Sequence, residues 1–140
     1  MRGALFLSIR PKYAERILRG IKTVELRRVC PAVSEGDIIV LYISSPTKEV
    51  RAIFIVERIC CDKPDRLWRE IKDKAGVTRN EFEDYFNGAK AGVAIHIKDV
   101  QEFSSPITLS ALRKLWPNFR PPQSFRYVSA GQLSEILQFR

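Results

Sequence analysis

The stretch GIKTVELRR, residues 20–28, has the β-branched and apolar content of a strand, yet four of its nine side chains are charged: Lys22, Glu25, Arg27 and Arg28. In a regular strand alternate residues share a face. This alternation turns Val24 and Leu26 toward a core and leaves Glu25 and Arg27 side by side on the other face. By spacing alone, the favoured interpretation is a solvated face whose ion pairs contribute little to stability.

Two neighbouring residues leave a second interpretation open, in which this strand forms part of a site. Lys22 has the wrong parity for the face that carries Glu25, but the bend that Gly20 permits could swing its ammonium group toward that carboxylate. Thr23 is expected to share the face of Glu25, two positions earlier.

The segments around this strand indicate a sheet with short connections. Apolar runs predict strands from Ala4 to Ile9, from Ile38 to Ile43 and from Val50 to Cys60, the last two forming a hairpin. Between the first strand and GIKTVELRR, a helix begins at Pro11 and ends before Gly20, with proline and glycine at their preferred ends. Connections this short exclude crossover helices between residues 21 and 60.

The second half of the chain alternates helices and strands. Two helices are predicted between Pro64 and Gly88, the second opened by a capping box of Thr78 and Glu81. The remaining predicted elements are a strand at Lys90–Val100, a helix at Leu109–Trp116, a strand at Phe125–Val128 and a helix at Gly131–Phe139.

These elements predict one α+β domain over residues 1–140, in which a mixed or antiparallel, mostly β sheet curls into a small barrel with peripheral helices. The helices at about residues 64–88 form an insertion packed on that barrel. They also resemble a helix-turn-helix, but Glu81, Glu83 and Asp84 in the second helix are a poor surface for DNA phosphates. DNA is therefore a less favoured partner than RNA.

The charge balance favours a polyanionic partner. The chain of 140 residues has 24 basic and 16 acidic residues, for a formal charge of +8. It starts like a first strand rather than a signal peptide, and no apolar run is long enough to cross a bilayer, so we expect a cytoplasmic protein that does not bind membranes. Three cysteines without a CxxC pattern and one histidine predict reduced thiols, no metal site and no cofactor. The adjacent Cys60 and Cys61 point to opposite faces of a strand, so they cannot easily bind one metal together.

GIKTVELRR matches the pattern Gly-x-Lys-x-x-Glu-x-Arg, and the chain resembles the ASCH domain family of the PUA-like superfamily. Four residues occupy the motif positions: Gly20, Lys22, Glu25 and Arg27. The flanking segments agree, with LSIRPKYAERIL before the motif, GD and an apolar strand ending in SSP after it, and PPQSFRYV near the end. The resemblance covers most of the chain and implies a PUA-like barrel with a cleft beside the motif.

The resemblance implies a module that binds RNA or a nucleotide, with a role in the regulation of transcription or translation. Lys22 and Arg27 would hold phosphate or a base edge, and Glu25 would orient them or act as a general base. The alternative is a hydrolase, either a ribonuclease or an enzyme acting on acetylcytidine. Some similar amidohydrolases use a Lys and a Thr, but here Glu25 occupies the aligned Thr position, which argues against their mechanism.

Further polar residues are candidates for the same cleft. They lie around the first strand-to-helix turn, at the end of a strand and in the proline-rich segment near the end of the chain: Ser8, Lys12, Ser44, Ser45, Ser124, Arg126 and Tyr127. An aromatic ring beside a guanidinium could stack on and pair with a base. His96 alternates with Val93, Ile95 and Ile97 in its strand, so it is predicted to point away from that apolar set and to be a surface or satisfied residue.

Overall fold

A computed structural model describes residues 3–140, which form one six-stranded sheet and five helices. The strands are β1 (Ala4–Ile9), β2 (Val24–Arg27), β3 (Ile38–Ile43), β4 (Glu49–Asp62), β5 (Gly92–Thr108) and β6 (Phe125–Val128). The helices are α1 (Pro11–Leu18), α2 (Pro64–Ile71), α3 (Arg79–Phe86), α4 (Leu109–Leu115) and α5 (Ala130–Leu137).

The sheet is mixed, as predicted. Its strand order is β2-β5-β4-β3-β1-β6, with β1 parallel to β3 and the other neighbouring pairs antiparallel. The predicted fold class is confirmed, in the form of a half-barrel whose two edge strands are β2 and β6. The motif strand is therefore an edge strand, and its ladder partner is β5.

Most element positions follow the sequence pattern, but β5 is much longer than predicted. It continues past Val100 to Thr108, and its pairing with β4 shifts register at three points. Asp99 has a φ of 53°, a left-handed conformation that bends the strand without ending it. An alternation pattern cannot show such irregularities, because each shift changes which residues face the core.

Apolar side chains cover both faces of the sheet. On one face, β5 residues Val93, Ile95 and Ile97 pack with strands β1, β3 and β4 and with Ala14 and Ile17 of α1; we call this the α1 face. On the opposite face, Ala94, Val24 and Leu26 pack with the inner sides of α2 and α3; we call this the α2–α3 face. A third cluster brings α4 and α5 against β1, β3 and β4.

The helical insertion packs on the sheet, as predicted. Leu67 and Ile71 of α2 and Phe82 and Phe86 of α3 are buried against the α2–α3 face. The capping box predicted at the start of α3 is present, with Thr78 accepting from the Glu81 backbone amide and Glu81 accepting from that of Thr78. Among residues 3–140, no helix is long and apolar enough to span a membrane.

Candidate functional site

The polar face of β2 is buried. Glu25 lies opposite Ile95 and Arg27 opposite Val93 in the ladder, so both side chains lie on the α1 face of the sheet. Glu25 is 6% exposed and Arg27 is 7% exposed. The interpretation of this strand as a solvated face is therefore wrong, and charges in such an environment must be paired or hydrogen-bonded.

Lys22 reaches the same carboxylate, as its position after a bend predicted. Gly20 adopts a φ of 77°, and the Lys22 ammonium Nζ lies 3.6 Å from Glu25 Oε1. Nζ also donates a hydrogen bond of 2.7 Å to the carbonyl of Ala75, in the segment between α2 and α3. With 2% of its surface exposed, Lys22 is covered by the helical insertion.

Arg27 connects the two edges of the half-barrel. Its Nη2 donates to Glu25 Oε2 at 2.8 Å and to the carbonyl of Ser8, in β1, at 2.9 Å. Its Nη1 donates to Ser124 Oγ at 3.2 Å, directly before β6. The guanidinium thus closes the open side of the sheet between β2 and the β1–β6 pair, and we call Lys22, Glu25 and Arg27 the motif network.

The electrostatics of the motif network leave an excess of positive charge, because two cations share one carboxylate. Burial lowers the pKa of Lys22, an effect that the Glu25 carboxylate partly opposes. Arg27 Nε is buried and has no hydrogen-bond partner among the described residues. An unsatisfied buried N–H group costs free energy, so this donor departs from the usual pairing of buried polar groups.

A second polar cluster joins α1 to α3 beside the motif network. Glu81 accepts from Lys12 Nζ at 2.6 Å, from Arg16 Nη1 at 3.1 Å and from the Tyr13 hydroxyl at 3.3 Å. The hydrogen bond from Lys12, with that of the Thr78 backbone, lowers the pKa of Glu81 to about 2. We call these contacts the Glu81 latch, because they tie the insertion to the helix that precedes the motif.

Tyr13 links the two clusters. Its ring has three cationic groups within 6 Å, those of Lys12, Arg16 and Lys22, at 5.4, 5.3 and 5.7 Å from the ring centroid. Burial and the Glu81 carboxylate raise the pKa of its hydroxyl. The sequence did not reveal this role, because the capping box accounts for Glu81 locally and the contact with Tyr13 spans 68 positions.

The structure brings two of the predicted serines to the motif network. Ser8 is buried, and its Oγ donates to the carbonyl of Pro122 at 2.7 Å, so its hydroxyl holds the loop that leads to β6. Ser124 is exposed and contacts Arg27 directly. Ser44 and Ser45 follow β3, where the Ser44 amide donates to the carbonyl of Ile9, and no side-chain bond joins them to the motif network among the described residues.

The two late candidates lie apart from the motif network. Arg126 is opposite Phe6 in the ladder and therefore faces away from Glu25, with its guanidinium 5.1 Å from the centre of the Phe119 ring. Tyr127 is 53% exposed, and its hydroxyl accepts from the backbone amide of Ala32 at 2.8 Å. Arg126 and Tyr127 thus contact Phe119 and Ala32 rather than Lys22, Glu25 or Arg27.

His96 occupies an environment that the sequence did not predict. It points away from Val93, Ile95 and Ile97, as expected, but it is 2% exposed and lies against the α2–α3 face rather than in solvent. Burial, helped by the nearby cations of Arg58 and Lys74, lowers its pKa. Its Nε2 has no hydrogen-bond partner within residues 3–140.

A concavity in the described structure lies away from the motif network. It has a volume of about 370 Å³ and is lined by residues of the β4–α2 turn, α2, α3 and the segment after α3, among them Lys63, Trp68, Arg79 and Phe82. The motif side chains themselves are covered, since Lys22, Glu25 and Arg27 are each less than a tenth exposed.

Comparison with known proteins identifies the family. Residues 3–114 match the model of a domain of unknown function, DUF365. The chain is 30% identical over 131 residues to an ASCH domain-containing ribonuclease from Zymomonas mobilis subsp. mobilis, covering 94% of this chain and 88% of that protein. The chain belongs to the ASCH domain family.

Solved structures agree with this membership. The crystal structure of ASCH from Zymomonas mobilis superposes with a TM-score of 0.92 at 29% identity, covering 99% of this ASCH domain and 96% of that chain. The N-terminal domain of McrB from Staphylothermus marinus superposes with a TM-score of 0.62 at 10% identity over 96% and 93% of the two chains, which shows a shared fold alone.

Proposed function

We propose that this ASCH domain binds RNA and cleaves it at the motif network. The observation that carries the proposal is the buried set of two cations around one carboxylate, in a chain similar over 94% of its length to a protein named as a ribonuclease. The formal charge of +8 supports a polyanionic substrate.

Arg27 is the group suited to recognition of a phosphate. Its Nη atoms are held by Glu25, Ser8 and Ser124, which fixes the plane of the guanidinium. The buried Nε has no partner among the described residues and is the donor left for a phosphate oxygen once the residues that cover it move; guanidinium groups suit phosphate geometry. Glu25 orients the guanidinium in this arrangement, and the excess positive charge stabilises the charge that develops on the phosphate during cleavage.

Lys22 is the group suited to proton transfer. Its ammonium is desolvated, which lowers its pKa, and an amine with a lowered pKa exchanges protons closer to neutral pH. Its hydrogen bond to the Ala75 carbonyl must break for the amine to reach a substrate oxygen. We therefore place a movement of the 72–78 segment before cleavage, with the half-exposed Lys12 and the exposed Ser124 as first contacts for the RNA.

The experiment measures cleavage and binding of short single-stranded RNA by purified protein. Arg27→Ala and Lys22→Ala are expected to reduce cleavage at least 10-fold, with the salt dependence of RNA binding weakened in Arg27→Ala. Arg28→Ala is the matched control, since it removes the same charge from the next residue, whose exposed side chain bonds only the backbone of Tyr85 and Asn87 in the described hydrogen bonds. Equal losses in Arg27→Ala and Arg28→Ala would contradict the proposal.

The same assay distinguishes a ribonuclease from the two alternatives, a module that only binds RNA and an amidohydrolase. RNA binding without cleavage, lost in the Arg27 variant, would support a binding module in place of an enzyme. Acetylcytidine is included as a substrate, and we expect no turnover. The hydroxyl of exposed Thr23 lies 3.5 Å from the carbonyl of Lys74 instead of facing Glu25, so the network lacks the Thr–Lys pair used by the similar amidohydrolases.

A further inference from the structure

Three potential metal ligands converge on the α2–α3 face, on the other side of the sheet from Glu25 and Arg27. Cys60 of β4, Glu70 of α2 and His96 of β5 each offer one ligand atom, and these atoms lie within 4.8 Å of one another. Cys60 is opposite Ala94 in the β4–β5 ladder, two positions before His96 on the same face. The ladder thus sets the thiol and the imidazole side by side, and α2 brings the carboxylate over them.

His96 is the observation that points to a ligand. The imidazole is 2% exposed and its Nε2 has no hydrogen-bond partner among the described residues, although buried polar groups are normally satisfied. Cys60 and Glu70 lie beside it on this face, each with one potential ligand atom within 4.8 Å. A bound cation would give the imidazole the partner that the protein does not supply.

The other two groups already hold a positive charge between them. Nη1 of Arg58 lies 3.5 Å from Cys60 Sγ and 3.4 Å from Glu70 Oε1. The Arg58 side chain is 50% exposed, so its long stem can turn the guanidinium into solvent without opening the core. The thiol and the carboxylate therefore already bind one cationic group, the Arg58 guanidinium, and a metal ion can replace it.

We propose that Cys60, Glu70 and His96 bind a divalent transition-metal ion of the zinc type, with water in the fourth position. Thiolate, imidazole and carboxylate are its preferred ligands, at about 2.0–2.3 Å. At these bond lengths, ligand atoms around one tetrahedral ion are about 3.3–3.8 Å apart. The three ligand atoms, which lie within 4.8 Å of one another, therefore need to approach slightly as Arg58 moves out.

This site departs from the sequence-based expectation of no metal. That expectation rested on the absence of a CxxC pattern and on the fact that Cys60 and Cys61 point to opposite faces. Cys60 and Cys61 do point to opposite faces, but this does not exclude Cys60 as a ligand together with other residues. Its proposed partners, Glu70 and His96, are 10 and 36 positions away in the chain. Only the β4–β5 register and the position of α2 bring the three together.

The test is titration of the reduced, metal-free protein with Co²⁺, whose bond to a thiolate gives a strong charge-transfer absorption, followed by competition with Zn²⁺. We expect one ion per chain. Cys60→Ser should abolish the thiolate absorption, and Glu70→Gln should weaken binding at least 10-fold. Both side chains are at least partly exposed, so both variants are expected to fold.

Cys61→Ser is the matched control, because it removes the neighbouring thiol on the other face of β4 and should leave the absorption unchanged. Loss of the absorption in Cys61→Ser instead would overturn the proposal by assigning the metal to the Cys30–Cys61 pair. Absence of stoichiometric binding by the wild-type protein, or equal binding by wild type and Glu70→Gln, would overturn it as well.

Discussion

Arg27 Nη2 donates to Glu25 Oε2 at 2.8 Å, and both side chains are more than nine-tenths buried although they lie on an edge strand. This ion pair is placed where β2 approaches the segment before β6, so it belongs to the closure of the half-barrel. Lys22 contacts the second carboxylate oxygen from the other side. Glu25 is thus the shared partner of two buried cations.

Replacing Glu25 by Gln should strongly destabilise the protein. The amide is nearly the same size, so the change removes charge rather than volume and leaves two buried cations without a counter-ion. Breaking a buried ion pair in this way costs about 3–5 kcal/mol. Urea unfolding of Glu25→Gln, compared with wild type, measures the loss.

Glu83→Gln is the matched control for that variant. Glu83 pairs with Arg79 on the surface of α3, where both side chains are more than half exposed, and surface pairs contribute about 0–1 kcal/mol. Similar unfolding free energies for the two variants would show that Glu25 is not the buried counter-ion of the network.

The sequence predicted the fold more completely than the site. Local signals placed β1, β3 and β6, the proline-started α1 and the Thr78 capping box, because apolar periodicity and caps act within a few residues. The burial of Glu25 and Arg27 required knowledge of which segments cover an edge strand. The contacts of Lys22 with Ala75 and of Tyr13 with Glu81 span more than 50 positions and follow only from tertiary packing.

Gly76 should tolerate no side chain, because the motif network is packed against it. A Cβ at this position would lie 2.6 Å from Cβ of Lys22, and the residue has a φ of +61°, which L-residues adopt at a cost of about 1–2 kcal/mol. Gly88→Ala is the control: its φ is +79° and a Cβ there meets no atom within 4 Å. We expect Gly76→Ala to lower the unfolding free energy by at least about 1 kcal/mol more than Gly88→Ala, as measured in urea. Equal effects would mean that the insertion does not rest on Lys22.

The Glu81 latch should make stability depend on pH in acid. The pKa of Glu81 falls from 4.5 to about 2 on folding, because Lys12 and the Thr78 amide bind its charged form. A depressed pKa in the folded state gives stability that is fully present above pH 4.5 and is lost as pH falls toward 2. The difference in melting temperature between wild type and Glu81→Gln should therefore be constant near neutral pH and shrink below pH 4.5. A difference that persists unchanged to pH 2 would contradict this assignment.

Cys30 and Cys61 should form a disulfide readily when an oxidant is supplied. Cys61 Sγ lies 3.6 Å from Cys30 Sγ, and both residues are exposed, so the thiols need to approach by about 1.5 Å to reach bonding distance. Treatment with diamide removes one hydrogen from each thiol, and the oxidant takes up both. We expect the intact mass to fall by two hydrogens and one thiol to remain titratable. Cys60→Ser should still form the bond and Cys61→Ser should not, whereas a Cys60-dependent disulfide would show that the segment after β2 does not bring Cys30 to Cys61, near the end of β4, as described.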